Sequence, residues 1–369
     1  MDKKNSSIQN RIQILCIALV WGILALLCWV LPKKDISESE RRKLAQFPDI
    51  SWASILNASY MEDFEEAGVD QFPMREGFRG LRAMTDRYAL GKQDVHGIYM
   101  EDGYLTEMLY PLNESSVQNG GEKCQNIYDM YLADTETDVY LAVIPDKGYY
   151  LSGESGHPAL DYEELTAIMQ EAFPEAEWID LADTLTIEDY YATDSHWRQE
   201  QLTEPANRIL ETMGSQSLEG LEQKLALEAF YGVYAGQSAL PVKGEPMYYL
   251  TNDVLEQCQV YHVENGKTLG IYDEEKLFGR DPYEFFLSGN TAIGIIENPN
   301  STSEKELVVF RDSFGSSMVP LLVQSYSKVT VIDTRYVNPE LIGDYVEFEN
   351  QDVLFLYSTV LLNRSEAMR

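Results

Sequence analysis

The sequence predicts an α/β fold in which helices are layered on a flavodoxin-like sheet. An apolar run over residues 139–145 (VYLAVIP) has polar residues at both ends, which is typical of a strand buried on both faces. A helical pattern over residues 161–173 and a short strand at 178–181 follow it, and this alternation indicates an α/β layer. The alternation returns near the end of the chain, with strands predicted at 307–310, 329–333 and 353–357 and helices from about residue 314 and near 339–345.

Two further regions surround this predicted layer. Apolar residues recur mostly at three- and four-residue steps up to Gly91, which predicts helices that are interrupted at residues 72–73. Residues 95–105 (VHGIYMEDGYL) predict a hairpin with its turn at residues 102–103. The section from 230 to 296 is richer in Gly, Tyr and Val, and we expect it to form a mixed β insertion.

A long apolar stretch lies near the N-terminus. Residues 12–31 contain Gln13 as their only clearly polar side chain, and a helix of this length spans about 30 Å, which is one membrane crossing. No small-residue cleavage site follows, so we predict an uncleaved signal anchor. The predicted order is a tail at 1–11, a transmembrane helix at 12–31, a juxtamembrane linker at 32–44 and one domain at 45–369. Three basic residues precede the span and two follow it, so charge orients it only weakly.

The charge of the chain restricts its partners. The formal net charge is −33, and the first 34 residues carry +4, which leaves −37 for the remainder. Such a domain repels nucleic acid and anionic lipid, and a solvated acidic surface is the simplest interpretation. A disulfide between Cys124 and Cys258 is compatible with the sequence but is supported by no spacing rule. No zinc pattern is present, and we predict neither a metal nor another cofactor.

Residues 190–197 (YYATDSHW), here called the octet, place an acid two residues before a histidine. The chain has only four histidines, and one of them, His196, follows Asp194 at this spacing among large aromatic residues. Asp194 can hold the Nδ1 proton of His196 and leave Nε2 free as a base. The alternative is a surface hydrogen bond or a helix cap, because 61 acidic residues bring acids close to histidines by chance.

A second segment, residues 306–314 (ELVVFRDSF), supplies a serine. A predicted strand runs into Ser313 and then into a helical pattern, so the hydroxyl lies beside free amides at a helix N-terminus. The amides of Phe314 or Gly315 could then stabilise an oxyanion. Alternatively, Asp312 or Ser313 is an ordinary N-cap. Both segments follow predicted strands, where open α/β sheets build their sites.

Two blocks carry a family resemblance, TDSHW and VVFRDSFGSSMVP. They resemble the signature blocks of the DHHW-motif family of membrane-anchored bacterial proteins, which is similar to the SGNH-like domain of alginate O-acetyltransferases. The resemblance covers nearly everything after the predicted anchor. Further segments resemble family segments in the same order: RRKLAQFPDISW (41–52), DQFPMREGF (70–78), GIYMEDGYL (97–105), AVIPDKG (142–148), DPYEFFLSGN (281–290) and VTVIDTRY (329–336).

The resemblance implies an SGNH-hydrolase-like fold and roles for three residues. Ser313 would be the nucleophile, His196 the general base and Asp194 the acid that orients it. The chain departs from the family pattern at three other positions. Ser195 occupies the variable second place of the DHHW tetrapeptide, Arg311 stands in place of the glycine of a GDS block, and Ser316 stands where relatives often carry asparagine.

One more residue is a candidate oxyanion donor. Asn290 follows Gly289, and the alternative is that it is a turn residue. Trp197 is expected to pack under the histidine rather than to touch substrate.

The function implied by the resemblance is movement of an acetyl group onto or off a glycan hydroxyl of a cell-surface or exopolysaccharide. The domain would lie outside the cell membrane as a single-pass protein with a cytoplasmic tail, and a polytopic membrane O-acyltransferase would deliver the acyl group. A second hypothesis is a non-catalytic glycan-binding or scaffolding protein of the same fold. A third, metal-dependent hydrolysis through Asp194 and His196, lacks a further histidine in a ligand pattern.

Overall fold

A computed structural model of the chain describes residues 2–56 and 59–369. The chain forms two compact units. The first consists of Met1–Val95 with Gly236–Pro241, and the second consists of His96–Ala235 with Val242–Arg369.

The first unit is mainly helical. Helix α1 contains the stretch Gln9–Val30, which is long and apolar enough to cross a membrane. The indole of Trp29 stacks on the ring of Phe47 with 5.0 Å between centroids, so the end of α1 packs on the chain that follows it. The elements are α1 (Asp2–Val30), β1 (Ile36–Ser37), β2 (Arg42–Lys43), α2 (Trp52–Leu56), α3 (Ser59–Asp70), α4 (Arg75–Met84), which continues as a π-helical turn over Thr85–Ala89, and β3 (Asp94–Val95).

The rest of the chain alternates strands and helices, as the sequence predicts. From residue 96 onward the elements are β4 (Ile98–Glu101), β5 (Tyr104–Glu107), α5 (Glu114–Tyr131), β6 (Val139–Ile144), α6 (Lys147–Ser155), α7 (Tyr162–Ala172), β7 (Glu177–Ile179), α8 (Thr203–Thr212), β8 (Glu222–Phe230), α9 (Val233–Ser238), β9 (Glu245–Thr251), β10 (Gln259–His262), β11 (Lys267–Gly270), β12 (Ile293–Glu297), β13 (Glu306–Arg311), α10 (Gly315–Leu322), β14 (Lys328–Ile332), β15 (Asp352–Ser358) and α11 (Thr359–Leu362).

An eight-stranded mixed sheet forms the centre of the second unit. Its strand order is β11-β10-β12-β14-β13-β15-β6-β7. The five strands from β14 to β7 are parallel, whereas β12, β10 and β11 are antiparallel to their neighbours. The predicted β insertion therefore extends the main sheet at one edge, and its strand β9 pairs separately with β8.

The sheet is buried on both faces, which explains its continuous apolar strands. Along β6, Tyr140, Ala142 and Ile144 face a core shared with α8 and α10. The alternate residues of β6 face a second core, shared with α5, α7 and α11. Because successive side chains of a strand point to opposite faces, a strand covered on both sides needs apolar residues at every position. Cys124 and Cys258 are free thiols, one in each core.

The predicted elements of this unit are confirmed with small shifts in their ends. The strand expected at 139–145 is β6, and the helix expected at 161–173 is α7. The hairpin expected at 95–105 has its two strands in β4 and β5, and Asp102 and Gly103 form the turn. The helix expected near 339–345 is a 3₁₀ helix over Pro339–Asp344.

One close helix contact in the second unit gives a test of the packing. A Cβ added to Gly121 of α5 would lie 2.5 Å from the Cβ of Ala172 in α7. Gly121→Val is therefore expected to destabilise the fold by about 1 to 3 kcal/mol through overpacking, measured as a lower midpoint of urea unfolding. The matched control is Gly153→Ala in α6, where an added Cβ meets open space. It should leave stability unchanged or raise it by about 0.4 to 1 kcal/mol. Equal midpoints for the two variants would contradict this packing.

Candidate active site

Ser313 lies on the turn between β13 and α10, at the carboxyl edge of the sheet. Ser313 is half-buried, whereas the residues on either side of it, Asp312 and Phe314, are buried. The neighbouring Asp312 fixes the turn, because its Oδ1 accepts the Phe314 amide at 3.0 Å. Its Oδ2 accepts the amide of Ser358 at 2.8 Å and the Ser358 hydroxyl at 2.5 Å. The carboxylate therefore joins the serine turn to the end of the adjacent strand β15.

The octet forms a closed loop that presents His196. Tyr190 and Trp197 pair as an antiparallel bridge at its base, and the Tyr191 amide donates to the His196 carbonyl at 3.1 Å. The buried indole of Trp197 donates from Nε1 to the Phe314 carbonyl at 3.1 Å and to Ser317 Oγ at 2.9 Å. This side chain therefore ties the octet to the first turn of α10.

The structure brings Asp194, His196 and Ser313 together in one line of hydrogen bonds. His196 Nε2 lies 2.8 Å from Ser313 Oγ, and His196 Nδ1 lies 2.5 Å from Asp194 Oδ1. Asp194 is fully buried, and its other oxygen accepts the Val233 amide at 2.7 Å. A carboxylate in this position accepts the Nδ1 proton and leaves Nε2 as the acceptor for the serine hydroxyl. The arrangement is suited to removing a proton from Ser313.

Aromatic rings hold the imidazole in place. The ring of Tyr283 stacks on His196 with 4.0 Å between centroids and 11° between planes, and the Phe314 ring lies 4.8 Å away. The Tyr283 hydroxyl hydrogen-bonds with Ser317 Oγ at 2.8 Å. Burial raises the pKa of Tyr283 well above its usual value, so this phenol stays neutral and adds no charge beside the histidine. Trp197 packs edge-on against Phe314.

The oxyanion candidates lie in three different environments. The Phe314 amide donates to Asp312 Oδ1, and the Gly315 amide donates to the Asp312 carbonyl at 3.1 Å. Asn290 is exposed on the surface, and no hydrogen bond joins it to the three residues within the described part of the chain. By contrast, the Ser313 amide donates to no acceptor among the residues that the structure describes.

Arg311, which stands in place of a glycine, is buried beneath the serine turn. Its Nη1 donates to the Asp312 carbonyl at 3.2 Å and to Asp333 Oδ2 at 3.3 Å. Burial lowers the pKa of Arg311, and the Asp333 carboxylate opposes this effect. Asp333 also accepts two hydrogen bonds from the side chain of Arg335, so the two arginines share one carboxylate.

Three residues that support the octet were not found from the sequence. Glu245 accepts the amides of Ala192 and Thr193 at 3.0 and 2.9 Å, and Lys147 donates to the Tyr191 carbonyl at 3.0 Å. Gly232 lies directly against Asp194. Lys147 stood in the resembling segment AVIPDKG, but nothing in the sequence indicated its partner.

The central sheet, the helices on both of its faces and a serine at its carboxyl edge define an SGNH-like α/β fold, so the predicted fold class is confirmed. A DHHW family protein from Eubacterium siraeum is similar, with 19% identity and a TM-score of 0.56 over 73% of this chain and 92% of that chain. PatB1 of Bacillus cereus is similar with 19% identity and a TM-score of 0.59, over 72% of this chain and 96% of that chain. PatB1 has also been solved with a sulfonyl adduct.

A third similar structure is the O-acetyltransferase domain of Pseudomonas putida AlgJ, with 11% identity and a TM-score of 0.46 over 72% of this chain and 92% of that chain. The predicted resemblance to the DHHW family is thus confirmed at the level of the fold. No protein-family model matches the chain, and no curated protein matches its sequence.

The contact between Gly232 and Asp194 gives a test of the site geometry. A Cβ added to Gly232 would lie 2.3 Å from Asp194 Cβ and 2.4 Å from its Cα, so Gly232→Ala must displace the acid. We expect the reaction of Ser313 with a fluorophosphonate to slow by about 100-fold, because displacements of about 1 Å have effects of this size. Gly153→Ala is the matched control and should react at the original rate. An unchanged rate in a folded Gly232→Ala variant would show that this contact does not position Asp194.

Proposed function

We propose that this chain is a membrane-anchored, extracytoplasmic acyltransferase that acetylates, or deacetylates, hydroxyls of a cell-surface or exopolysaccharide glycan. The observation that carries the proposal is the hydrogen-bonded line from Asp194 through His196 to Ser313, with 2.8 Å between His196 Nε2 and Ser313 Oγ. Ser313 is half-buried rather than fully enclosed, which is compatible with access by a substrate. The fold, similar to that of PatB1 and a DHHW family protein, is compatible with this chemistry.

In the proposed reaction, Ser313 is acylated first. Its oxygen attacks the carbonyl carbon of an acetyl donor while His196 Nε2 takes the hydroxyl proton. The tetrahedral intermediate collapses, the bond to the donor oxygen or sulfur breaks, and His196 returns the proton to the leaving group. His196 then takes the proton of a glycan hydroxyl, whose oxygen attacks the acetyl-serine, and Ser313 recovers its proton. Water in place of the glycan hydroxyl gives hydrolysis.

The oxyanion of the intermediate requires hydrogen-bond donors. The Ser313 amide is the donor we favour, because it has no acceptor in the described part of the chain. The amides of Phe314 and Gly315 both donate to Asp312, so they would have to change partner to serve an oxyanion. Asn290 would have to approach from the surface.

The proposed location outside the cell membrane rests on helix α1. Its Gln9–Val30 stretch is compatible with one membrane crossing, and we propose a cytoplasmic tail at 1–11, a span at 12–31, a linker at 32–44 and an extracytoplasmic domain from 45 to 369. The resemblance to alginate O-acetyltransferases supports a separate polytopic membrane O-acyltransferase as the proposed source of the acyl group.

A second candidate function is glycan binding or scaffolding without catalysis. It is favoured by one observation, that the two amides at the start of α10 are already occupied by Asp312. In that case Ser313 would keep its position but would lack the electrostatic support that acyl transfer needs.

Serine reactivity separates the two candidate functions. Purified protein is treated with a fluorophosphonate or a sulfonyl fluoride, and ester-linked acetate is measured on surface polysaccharide from cells that carry each variant. Ser313→Ala and His196→Ala are expected to abolish labelling and to lower turnover by about 10⁴ to 10⁶, because triad members act as a unit.

Ser195→Ala is the control for these variants. Its hydroxyl lies 3.4 Å from both Asp194 Oδ1 and His196 Nδ1, at the limit of a hydrogen bond, so activity should stay within tenfold. A decrease in turnover of less than tenfold in Ser313→Ala would refute the catalytic assignment. Absence of labelling in the unaltered chain would favour the binding function.

A further inference from the structure

Lys147 is a buried lysine beside the octet. It is the first residue of α6, and only 2% of its surface is exposed. Its ammonium donates to the carbonyl oxygens of Leu105 and Tyr191, the latter at 3.0 Å. The rings of Tyr234 and Tyr104 lie 5.1 and 6.0 Å from Nζ. A buried charge is costly unless it is hydrogen-bonded, so the two carbonyl contacts explain how the ammonium is tolerated.

The Tyr191 carbonyl belongs to the backbone that leads to Asp194. The next carbonyl, of Ala192, accepts the Leu105 amide at 2.8 Å, so Leu105 contacts both Lys147 and the octet. On the opposite side, the Glu245 carboxylate accepts the amides of Ala192 and Thr193. Two charged side chains of opposite sign therefore hold the three residues that precede the acid.

The other polar groups of Thr193 are bonded as well. The Thr193 carbonyl accepts the amides of Tyr234 and Ala235 at 3.1 and 3.2 Å, and Thr193 Oγ1 accepts the Gly232 amide at 2.9 Å. Lys147 is thus one of a small number of side chains that determine where the octet lies. It differs from the backbone donors because its charge changes with pH.

We infer that Lys147 is a positioning residue for the proposed acyl transfer, whose protonated ammonium holds the Tyr191 and Leu105 carbonyls and keeps Asp194 aligned with His196. The inference rests on the proposed function of Ser313. A neutral amine retains only two N–H donors and loses the charge that strengthens hydrogen bonds to carbonyl oxygens. Loss of the proton also removes a positive charge that attracts the Asp194 carboxylate.

The charge of Lys147 changes near neutral pH. Burial lowers the pKa of Lys147 to about 7, although the carboxylates of Asp194, Glu245 and Asp146 all oppose this effect. Burial raises the pKa of both Tyr104 and Tyr234, so these rings stay neutral around it. As the pH rises above about 7, the ammonium is lost and the octet is held less firmly.

Stability and activity should respond to this proton in opposite directions. Between about pH 7 and the usual lysine pKa of 10.5, folded Lys147 binds fewer protons than it does in the unfolded chain. The contribution of Lys147 to the free energy of unfolding therefore rises with pH over that window. The rate at which Ser313 reacts should fall over the same window, and an unfolding temperature that does not fall with the rate excludes unfolding as the cause.

The experiment measures the rate of Ser313 labelling by a fluorophosphonate on the full detergent-solubilised chain from pH 5.5 to 10, together with the unfolding temperature. The unaltered chain should show a rate that falls by tenfold or more above about pH 7 to 8. Lys147→Met should label at least tenfold more slowly at pH 6.5 and show no fall at higher pH. Lys147→Arg, which keeps its charge, should label within about fivefold of the unaltered chain and stay active at high pH.

Lys267→Met serves as the control for loss of one lysine charge, since Lys267 is exposed on β11, and it should keep the original profile. A flat rate from pH 7 to 10 in the unaltered chain, or wild-type labelling in Lys147→Met, would overturn the inference while leaving the proposed function intact. Absence of Ser313 labelling at every pH would instead refute the proposed function. If either variant fails to fold, the inference is still tested by the unaltered chain, in which the labelling rate should fall with pH while the unfolding temperature does not.

Discussion

The contact of the Trp197 indole with the first turn of α10 is the interaction on which the candidate site depends. His196 and Ser313 are separated by 117 residues, and each lies on a segment outside the regular sheet. The indole Nε1 donates to the Phe314 carbonyl and to Ser317 Oγ, and it is completely buried. A buried hydrogen bond is costly to break, because its partners are left without water. These hydrogen bonds hold His196 and Ser313 close together in addition to the direct contact between their side chains.

Two buried carboxylates support this junction in different ways. Asp312 accepts hydrogen bonds from the Phe314 amide, directly before α10, and from the amide and hydroxyl of Ser358 at the end of β15. It therefore fixes the position of the serine turn. Asp194 is hydrogen-bonded to Nδ1 of His196 and accepts the Val233 amide, so it fixes the direction of the histidine ring. Each carboxylate is surrounded by donors, which satisfies the requirement for burying a negative charge. An alanine at either position would leave two backbone amides without their acceptor.

The fold was largely predictable from local pattern. Strands covered on both faces are apolar throughout, and β6, β13 and β15 stand out in the sequence for that reason. The three antiparallel strands at the sheet edge were expected only as an insertion, because short strands with mixed exposure do not reveal their partners. The order of helices and strands followed from alternation, whereas pairing between β12 and β14 depends on contacts between distant parts of the chain.

The sequence shows an acid near His196 and a serine after a predicted strand, and the resemblance to the DHHW family joined Asp194, His196 and Ser313 into one proposed line. Its supporting residues could not be found in that way. Glu245 and Lys147 act on backbone groups, and any residue type can supply those, so no local pattern indicates the contact. Position 232 requires glycine because a Cβ there would lie within 2.4 Å of Asp194. Such steric requirements arise only once the chain is folded.

The buried cations would help an acidic chain to accommodate the oxyanion of the proposed reaction. The net charge of −33 opposes an oxyanion in principle, yet exposed carboxylates are screened over about 8 Å at physiological ionic strength. Arg311 and Lys147 are almost fully buried, so solvent ions screen them much less. Arg311 lies two residues before Ser313 and polarises the Asp312 carbonyl, while Lys147 lies beside the backbone that carries Asp194. Three buried carboxylates, of Asp194, Asp312 and Asp333, lie in the same region, so buried charges of both signs surround the serine turn.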